Sequence, residues 1–184
     1  MKDDVRVSIL CETYNHEDYI AEAIEGFLMQ ETNFDYEILI HDDASTDQTA
    51  EIIKEYEKQY PHLIKAIYQT ENQYSQGVNV AAINEKRAAG KYFALCEGDD
   101  YWTDPNKLQM QLDYMEAHPE CSLCVHTGLH LENGKATESR PSIGNRNFSV
   151  EEIIAGGGDL FDTNTFFCRK DTGNIRPDFY FKTK

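Results

Sequence analysis

The chain has 184 residues, of which 27% are charged and 40% hydrophobic, and its formal net charge is −16. This length and balance are typical of one folded, soluble domain, and the negative field disfavours nucleic-acid partners because Lys86 and Arg87 form only a small basic pair. No apolar run approaches the roughly 20 residues that cross a bilayer, and residues 1–10 are too acidic for a secretory signal. We therefore predict a cytoplasmic location, either free or peripheral at the inner face of the membrane.

The first third of the sequence predicts two strands, each followed by a helix. Residues 5–10 and 36–41 are β-branched, apolar runs of strand length. The first helix is expected to start at Asn15, a favoured N-cap residue that is followed by acids in the first turn. The second helix is expected after Ser45 and Gln48, which have the spacing of a capping box.

The middle of the chain continues this alternation. Strands are predicted over 63–68, 91–96 and 122–131, and helices over 79–90 and 104–117. Gly90 suits the C-terminal end of the first of these helices, and Asp104-Pro105 suits the start of the second. After residue 130 the pattern weakens, and only residues 165–169 are expected to form a further short strand.

Alternating strands and helices predict an α/β fold, an open and mostly parallel sheet with helices on both faces. Ligands of such sheets bind just beyond the carboxyl ends of the strands. Polar motifs follow the first, second and fourth predicted strands, namely CETYN (11–15), HDDAS (41–45) and EGDD (97–100). The three motifs are therefore expected to converge on one rim of the sheet.

Three acids lie within four positions at the end of the fourth predicted strand: Glu97, Asp99 and Asp100. One interpretation is that they belong to a solvated loop and cap a helix. The other is that they hold a cation, because carboxylates this close repel one another unless a cation intervenes. Hard oxygen ligands favour Mg²⁺ or Mn²⁺, and the sequence has neither a glycine-rich phosphate loop nor a nucleophile motif. The pattern favours metal-assisted group transfer, in which the ion neutralises charge on a departing diphosphate.

A second cluster combines Cys121, Cys124, His126 and His130. Its spacing matches no common zinc module, so ordinary packing in a strand is favoured over a zinc site. The chain has five cysteines, an odd number without disulfide-rich spacing, and this is typical of a protein in a reducing compartment.

Three stretches together resemble the family 2 glycosyltransferases, which have the GT-A fold of nucleotide-diphospho-sugar transferases. They are VSILCETYNHEDYIAEAIEGFL, YEILIHDDASTDQT and GKYFALCEGDDYWTDPNKLQMQ, in that order, within residues 5 to about 130. The resemblance implies a Rossmann-like sheet, a nucleotide-sugar donor, Mn²⁺ or Mg²⁺ as cofactor, and a glycan, lipid-linked or protein-linked acceptor. By analogy with the family, the product is a bacterial envelope polysaccharide or glycoprotein glycan.

The resemblance assigns a role to each residue of the nucleotide side. The base and ribose are expected to contact the turn after the first strand, at Cys11, Glu12, Thr13 and Tyr14. The alternative for Tyr14 is a core aromatic beneath the turn. Asp43 is expected to recognise a uracil ring, and Asp42 beside it is expected to order the loop or cap the next helix.

The fourth strand carries the DxD-type metal motif of the resemblance. Asp100 is expected to be a metal ligand, and Asp99 is expected to lie near the ribose or the metal. Glu97 stands where the family more often has Asp, and it is the third expected ligand. Trp102 is expected to pack beneath the loop rather than to touch the sugar.

The resemblance also implies inversion at the anomeric carbon, for which a carboxylate base deprotonates the acceptor hydroxyl. None of the late aspartates has a convincing setting; they are Asp159, Asp162, Asp171 and Asp178. The base is therefore expected beyond residue 184. We predict a donor-binding core over 1–130 and the start of a truncated acceptor-side region over 131–184.

The main alternative is a fragment with the same fold that binds the donor without transferring sugar. A phospho-accepting receiver domain would need its acid pair after the first strand, where CETYN stands. A nucleotidyltransferase would need a glycine-rich basic loop at the same place. Both are less favoured.

Overall fold

The computed structural model describes residues 5–139, 145–156 and 160–170. The strands are β1 Val7–Thr13, β2 Tyr36–Asp42, β3 Ile64–Tyr68, β4 Tyr92–Leu95, β5 Leu123–Cys124, β6 Leu129–Glu132, β7 Lys135–Glu138 and β8 Phe167–Arg169. The helices are α1 Ile20–Leu28, α2 Thr49–Gln59, α3 Ala81–Arg87, α4 Lys107–Ala117 and α5 Val150–Gly156, with short 3₁₀ turns at Tyr74–Gln76 and Thr163–Thr165. No helix in these ranges is long and apolar enough to cross a membrane.

A six-stranded sheet in the order β3-β2-β1-β4-β8-β5 organises the fold. Its first four strands are parallel, with Val7 paired to both Tyr36 and Tyr92. β8 runs antiparallel between β4 and β5. The predicted α/β class, a mostly parallel sheet with helices, is confirmed.

Hydrophobic side chains cover the sheet on both faces. Ile9 and Phe27 belong to the larger core, which α1, α2 and α4 cover, whereas Leu10 and Phe93 pack with Ala88 in a smaller core on the other face. Successive strand residues point to opposite faces, so continuous apolar runs are needed where both faces are buried. This is why β1 and β2 were visible in the sequence.

Two predicted helix starts are wrong. α1 begins at Ile20 rather than Asn15, since Asn15 has a left-handed φ of 56° and its side chain accepts a hydrogen bond from the Thr46 amide at 2.7 Å. The capping box of Ser45 and Gln48 does not form, because α2 begins at Thr49 and the Thr49 amide donates to Asp47. Both polar segments instead tie the loop after β1 to the loop after β2.

Two predicted element ends also differ. α3 ends at Arg87 rather than residue 90, because Ala88 is extended and Gly90 lies so close to Ser8 that an added Cβ would stand 2.5 Å from the Ser8 nitrogen. The predicted strand 122–131 is divided into β5 and β6, which lie in different sheets.

β6 pairs with β7 in a hairpin that was not predicted, and β7 itself lies where no element was predicted. Asn133 and Gly134 make its turn with φ values of 50° and 73°, and Asn-Gly is the pair that favours such a turn. The short strand predicted at 165–169 is confirmed as β8. It extends the sheet of the predicted donor-binding core although it lies beyond residue 130.

Candidate functional site

The ends of β1, β2 and β4 meet at one rim of the sheet. Backbone hydrogen bonds join the loops there: the Asp43 amide donates to Thr13 at 2.9 Å, and the Gly98 amide donates to Glu12 at 3.0 Å. Such bonds continue the parallel ladder beyond the regular strands, so the three polar motifs are held at fixed distances. The sequence-predicted convergence follows from this topology.

The acid cluster lies at this rim and consists of Glu97, Asp99 and Asp100, whose carboxylates come close together. Each of its members offers one carboxylate oxygen, and these oxygens all lie within 4.8 Å of one another. Burial raises the pKa of Glu97 and of Asp100, and the neighbouring Asp99 raises both further. The cluster therefore favours any species that supplies positive charge, either protons or a cation.

Gly98 allows the acid cluster to approach the first strand. A Cβ at this position would stand 2.5 Å from Thr13 Oγ1 and 2.7 Å from Thr13 Cβ. The Thr13 hydroxyl also lies 3.2 Å from Nδ1 of His16, whose Nε2 is 3.8 Å from an oxygen of Asp99. His16 is thus a rim residue that the sequence analysis missed, because only the turn in CETYN brings it back to the acids.

The predicted nucleotide-side residues are exposed to different extents; Cys11, Glu12 and Thr13 lie at the carboxyl end of β1, and Tyr14 lies in the turn after it. Tyr14 is 43% exposed, so the alternative of a core aromatic is wrong. Thr13 is 3% exposed and Cys11 is fully buried, so a ligand would meet position 11 only through the main chain. Burial also raises the pKa of the Cys11 thiol well above its usual value.

Glu12 is a half-buried acid near the carboxyl end of β1. Burial raises its pKa to about 7, and Glu97 and Glu85 add to the effect, while a hydrogen bond from Asn84 at 3.1 Å opposes it. The same Asn84 amide group lies 3.2 Å from the Cys11 carbonyl and 3.1 Å from that of Leu39. Asn84 therefore joins β1 and β2 behind the rim.

We expect Glu12→Gln to raise the metal-free stability of the protein at pH 8. A carboxyl whose pKa is higher in the folded state than in the unfolded state stabilises the fold only while it is protonated. Its contribution is therefore lost as the pH rises from about 4.5 to above 7. Chemical denaturation in EDTA should show a gain of about 1–2 kcal/mol at pH 8 and almost none at pH 4. An equal gain at both pH values would contradict this origin.

Asp42 and Asp43 end the second strand in different roles. Asp42 is 2% exposed and accepts a 3.3 Å hydrogen bond from the Ser45 amide, which agrees with its expected loop-ordering role. Asp43 is 4% exposed, and its carboxylate accepts bonds from the Gln73 and Tyr74 amides at 2.7 and 3.0 Å. A base contact would have to share these oxygens, and the uracil role of Asp43 stays a prediction.

Trp102, two positions after the acid cluster, is buried with an exposure of 4%, as expected for a packing role. Its ring meets Phe27 edge-on with centroids 5.0 Å apart, and its indole nitrogen donates to the Asn164 carbonyl at 3.0 Å. Lys107 Nζ lies 4.0 Å from the centre of the indole ring and donates to Gln111 at 2.8 Å. Burial lowers the pKa of Lys107 to about 7, an unusual position for a lysine.

The structure does not bring three side chains of the cysteine and histidine cluster within 4.8 Å of one another. Among the described residues the acid cluster alone brings three metal-binding side chains together. Cys124 lies on β5, whereas His130 lies on β6 and faces Asp162 at 3.2 Å. Ordinary packing, the favoured reading for Cys124, agrees with its hydrophobic neighbours. Of the four late aspartates, only Asp162 lies within the described residues.

Comparisons with known proteins agree with this geometry. The model of glycosyl transferase family 2 matches residues 8–173. An uncharacterized protein of Mycobacterium tuberculosis is 41% identical over 89% of this chain and 47% of its own length. An uncharacterized glycosyltransferase of Nostoc is 31% identical over 93% of this chain and 50% of its own. The chain thus spans about half the length of these relatives.

Solved structures show the same fold. Staphylococcus aureus TarS matches with a TM-score of 0.69 and 21% identity over 93% of this chain and 50% of the TarS chain. A mannosyltransferase of Pyrobaculum calidifontis matches with a TM-score of 0.56 and 20% identity over 67% of this chain and 38% of its own. The fold is GT-A, and the receiver and nucleotidyltransferase alternatives are set aside. The chain belongs to glycosyl transferase family 2.

Proposed function

We propose that the chain is the donor-binding part of a metal-dependent glycosyltransferase. It would bind a nucleotide-diphosphate sugar, a UDP-sugar in the first instance, for transfer to a hydroxyl acceptor with inversion at the anomeric carbon. The observation that carries the proposal is the acid cluster. Gly98 has no side chain and so allows this cluster to lie directly against Thr13, in the segment expected to hold the nucleotide.

A divalent cation fits the acid cluster. Its three carboxylates are oxygen donors within 4.8 Å of one another, and Mg²⁺ or Mn²⁺ prefers such donors. Like-charge repulsion already raises the pKa of Glu97 and Asp100, so a bound cation would relieve an existing cost. When bound, the ion supplies positive charge for the departing diphosphate.

The residues at the carboxyl end of β1 and in the turn after it would hold the nucleotide. Exposed Tyr14 offers a ring surface on which a base can stack. Asp43 would meet the base from the second strand, and Asp99 would lie near the ribose. Similar structures support this class of ligand: TarS is known in complex with UDP and with UDP-GlcNAc, and the mannosyltransferase with GDP-Man and Mn²⁺.

The acceptor and the base are proposed on the family's pattern alone. A similar protein of Bacillus subtilis, 36% identical over 59% of this chain, is named a putative teichuronic acid biosynthesis glycosyltransferase. A glycan, lipid-linked or protein-linked acceptor would bind beside the predicted 131–184 region, and the base would follow residue 184. The five free thiols support a reducing, cytoplasmic site of action.

We expect UDP with Mn²⁺ to raise the melting temperature of the 184-residue chain. A ligand that binds only the native state stabilises it, by about 2.7 kcal/mol at 100 times its dissociation constant. Scanning calorimetry should detect this gain with UDP and Mn²⁺ together, and EDTA should remove it. A panel of UDP- and GDP-sugars then identifies the donor, and sugar transfer or hydrolysis separates an enzyme from a binding fragment. Failure of every nucleotide to bind would remove the proposal.

A further inference from the structure

The reversed direction of β8 brings a second polar pair to the rim of the acid cluster. Because β8 is antiparallel to β4, the chain enters β8 at the edge where β4 ends. Asp162 precedes the 3₁₀ turn that leads into β8. β5 is also antiparallel to β8, so it runs in the same direction as β4, and His130 follows β5 in the chain. The sheet therefore places Asp162 beyond the acid cluster, on the side away from β1 and β2, and His130 on β6 reaches the same place through its contact with Asp162.

Asp162 and His130 form a specific pair at this place. Nε2 of His130 lies 3.2 Å from Oδ1 of Asp162, with side-chain exposures of 66% and 30%. Gly128 makes room for the carboxylate, because a Cβ there would stand 2.6 Å from Asp162 Oδ2. Both side chains also interact electrostatically with Asp100 of the acid cluster.

A buried polar network holds the segment of Asp162 in place. The Asp162 carbonyl accepts bonds from the hydroxyl and the amide of Thr165, at 2.6 and 3.0 Å. The Thr165 carbonyl in turn accepts a bond from Gln111 at 3.0 Å, and Gln111 is the partner of Lys107 beneath Trp102.

This network is costly for a merely structural link. Lys107 is 6% exposed, and its partners are the Gln111 amide and the Trp102 ring rather than a carboxylate, whereas a buried ammonium group is stable only with strong compensation. The network joins the loop of the acid cluster to the turn that carries Asp162. It therefore fixes an exposed pair relative to the acids, and such fixed support is what a ligand-binding side chain needs.

We propose that the His130–Asp162 pair binds the hydroxyl groups of the sugar that the donor carries. This inference rests on the proposed function, because the order of the ligand must match the order of the strands. A nucleotide sugar is linear, with base, ribose, diphosphate and sugar in sequence. A nucleotide over β2 and β1 with its diphosphate at β4 would put the sugar at β8 and β5, where the pair lies.

The chemistry of the pair suits a sugar. A carboxylate accepts hydrogen bonds from two neighbouring hydroxyl groups, and imidazole can donate or accept one. Bonds to a charged group are the stronger kind, so Asp162 would contribute more than His130. The pair lies outside the cluster of three metal-binding side chains, and the sugar role does not require it to hold the ion.

The test compares nucleotide sugars with bare nucleotides. Titration calorimetry with Mn²⁺ would measure UDP and GDP against UDP-GlcNAc, UDP-glucose, UDP-galactose and GDP-mannose, on the wild-type chain and on Asp162→Asn and His130→Gln. We expect Asp162→Asn to weaken the preferred nucleotide sugar about tenfold and His130→Gln about threefold. The affinity for the bare diphosphate should change less than twofold in both.

Glu120→Gln is the matched control, since Glu120 forms another exposed pair with a histidine, His118, at 3.1 Å. It should change neither affinity. Equal weakening of bare UDP and nucleotide sugar by Asp162→Asn would assign the pair to the diphosphate or metal and overturn the inference. Unchanged affinity for the nucleotide sugars in both Asp162→Asn and His130→Gln would also overturn the inference. So would a wild-type chain that binds UDP but binds none of the nucleotide sugars more tightly than the bare diphosphate. If the wild-type chain does not bind UDP at all, the proposed function on which this inference rests is refuted instead.

Discussion

Asp100→Ala is expected to abolish the Mn²⁺-dependent binding of UDP. Asp100 is the least exposed member of the acid cluster, and its removal takes away a proposed direct ligand of the ion. Changes to residues that only support a ligand already cost about 10–100-fold in metal affinity, so the loss should reach at least about 100-fold. Titration of UDP with and without Mn²⁺ measures it directly.

The same substitution should not destabilise the metal-free protein. Burial and Asp99 raise the pKa of Asp100, so its charged form costs stability at neutral pH and alanine removes that cost. Denaturation in EDTA should show an equal or higher free energy of unfolding. Asp113→Ala, which removes an exposed acid of α4, is the control and should leave UDP binding intact. Full UDP affinity in Asp100→Ala would refute its role as a ligand.

Gly98→Ala should damage both the stability of the protein and its UDP binding. The new methyl group would stand 2.5 Å from Thr13 Oγ1 and 2.7 Å from Thr13 Cβ, and Thr13 is 3% exposed and has little room to move. Overpacking of this kind costs about 1–3 kcal/mol. The loop must also shift, and we expect at least a tenfold loss of Mn²⁺-dependent UDP affinity.

Two further variants separate the steric cause from other effects. Thr13→Gly removes both clashing atoms, so Gly98→Ala should cost less in that background, which a double-mutant cycle would measure. Gly134→Ala introduces a methyl group where nothing lies within 4 Å, at a φ of 73°. It should cost about 1 kcal/mol from backbone strain alone and leave UDP binding unchanged. Identical costs of Gly98→Ala in both backgrounds would argue against the clash.

Local sequence signals predicted the parts of the site that come from single segments. The apolar runs of β1, β2 and β4 need burial on both faces, so each could be recognised alone. The acids of EGDD follow such a run directly, and their position at the rim was therefore predictable from the strand itself. Helix starts were less predictable, because Asn15 and Ser45 use their side chains to join two loops rather than to cap helices.

The sequence by itself determined the α/β alternation and the acid cluster, because each depends on residues that are neighbours along the chain, and the parallel topology implied by the alternation brings the ends of β1, β2 and β4 to one rim. Only the tertiary structure decided that His16 faces Asp99, that Lys107 lies under Trp102, and that Asp162 pairs with His130. The last pair joins residues 32 positions apart and depends on β8 entering the sheet antiparallel between β4 and β5. A three-residue strand has too short a pattern to encode its neighbours, so packing against β4 sets its place and direction.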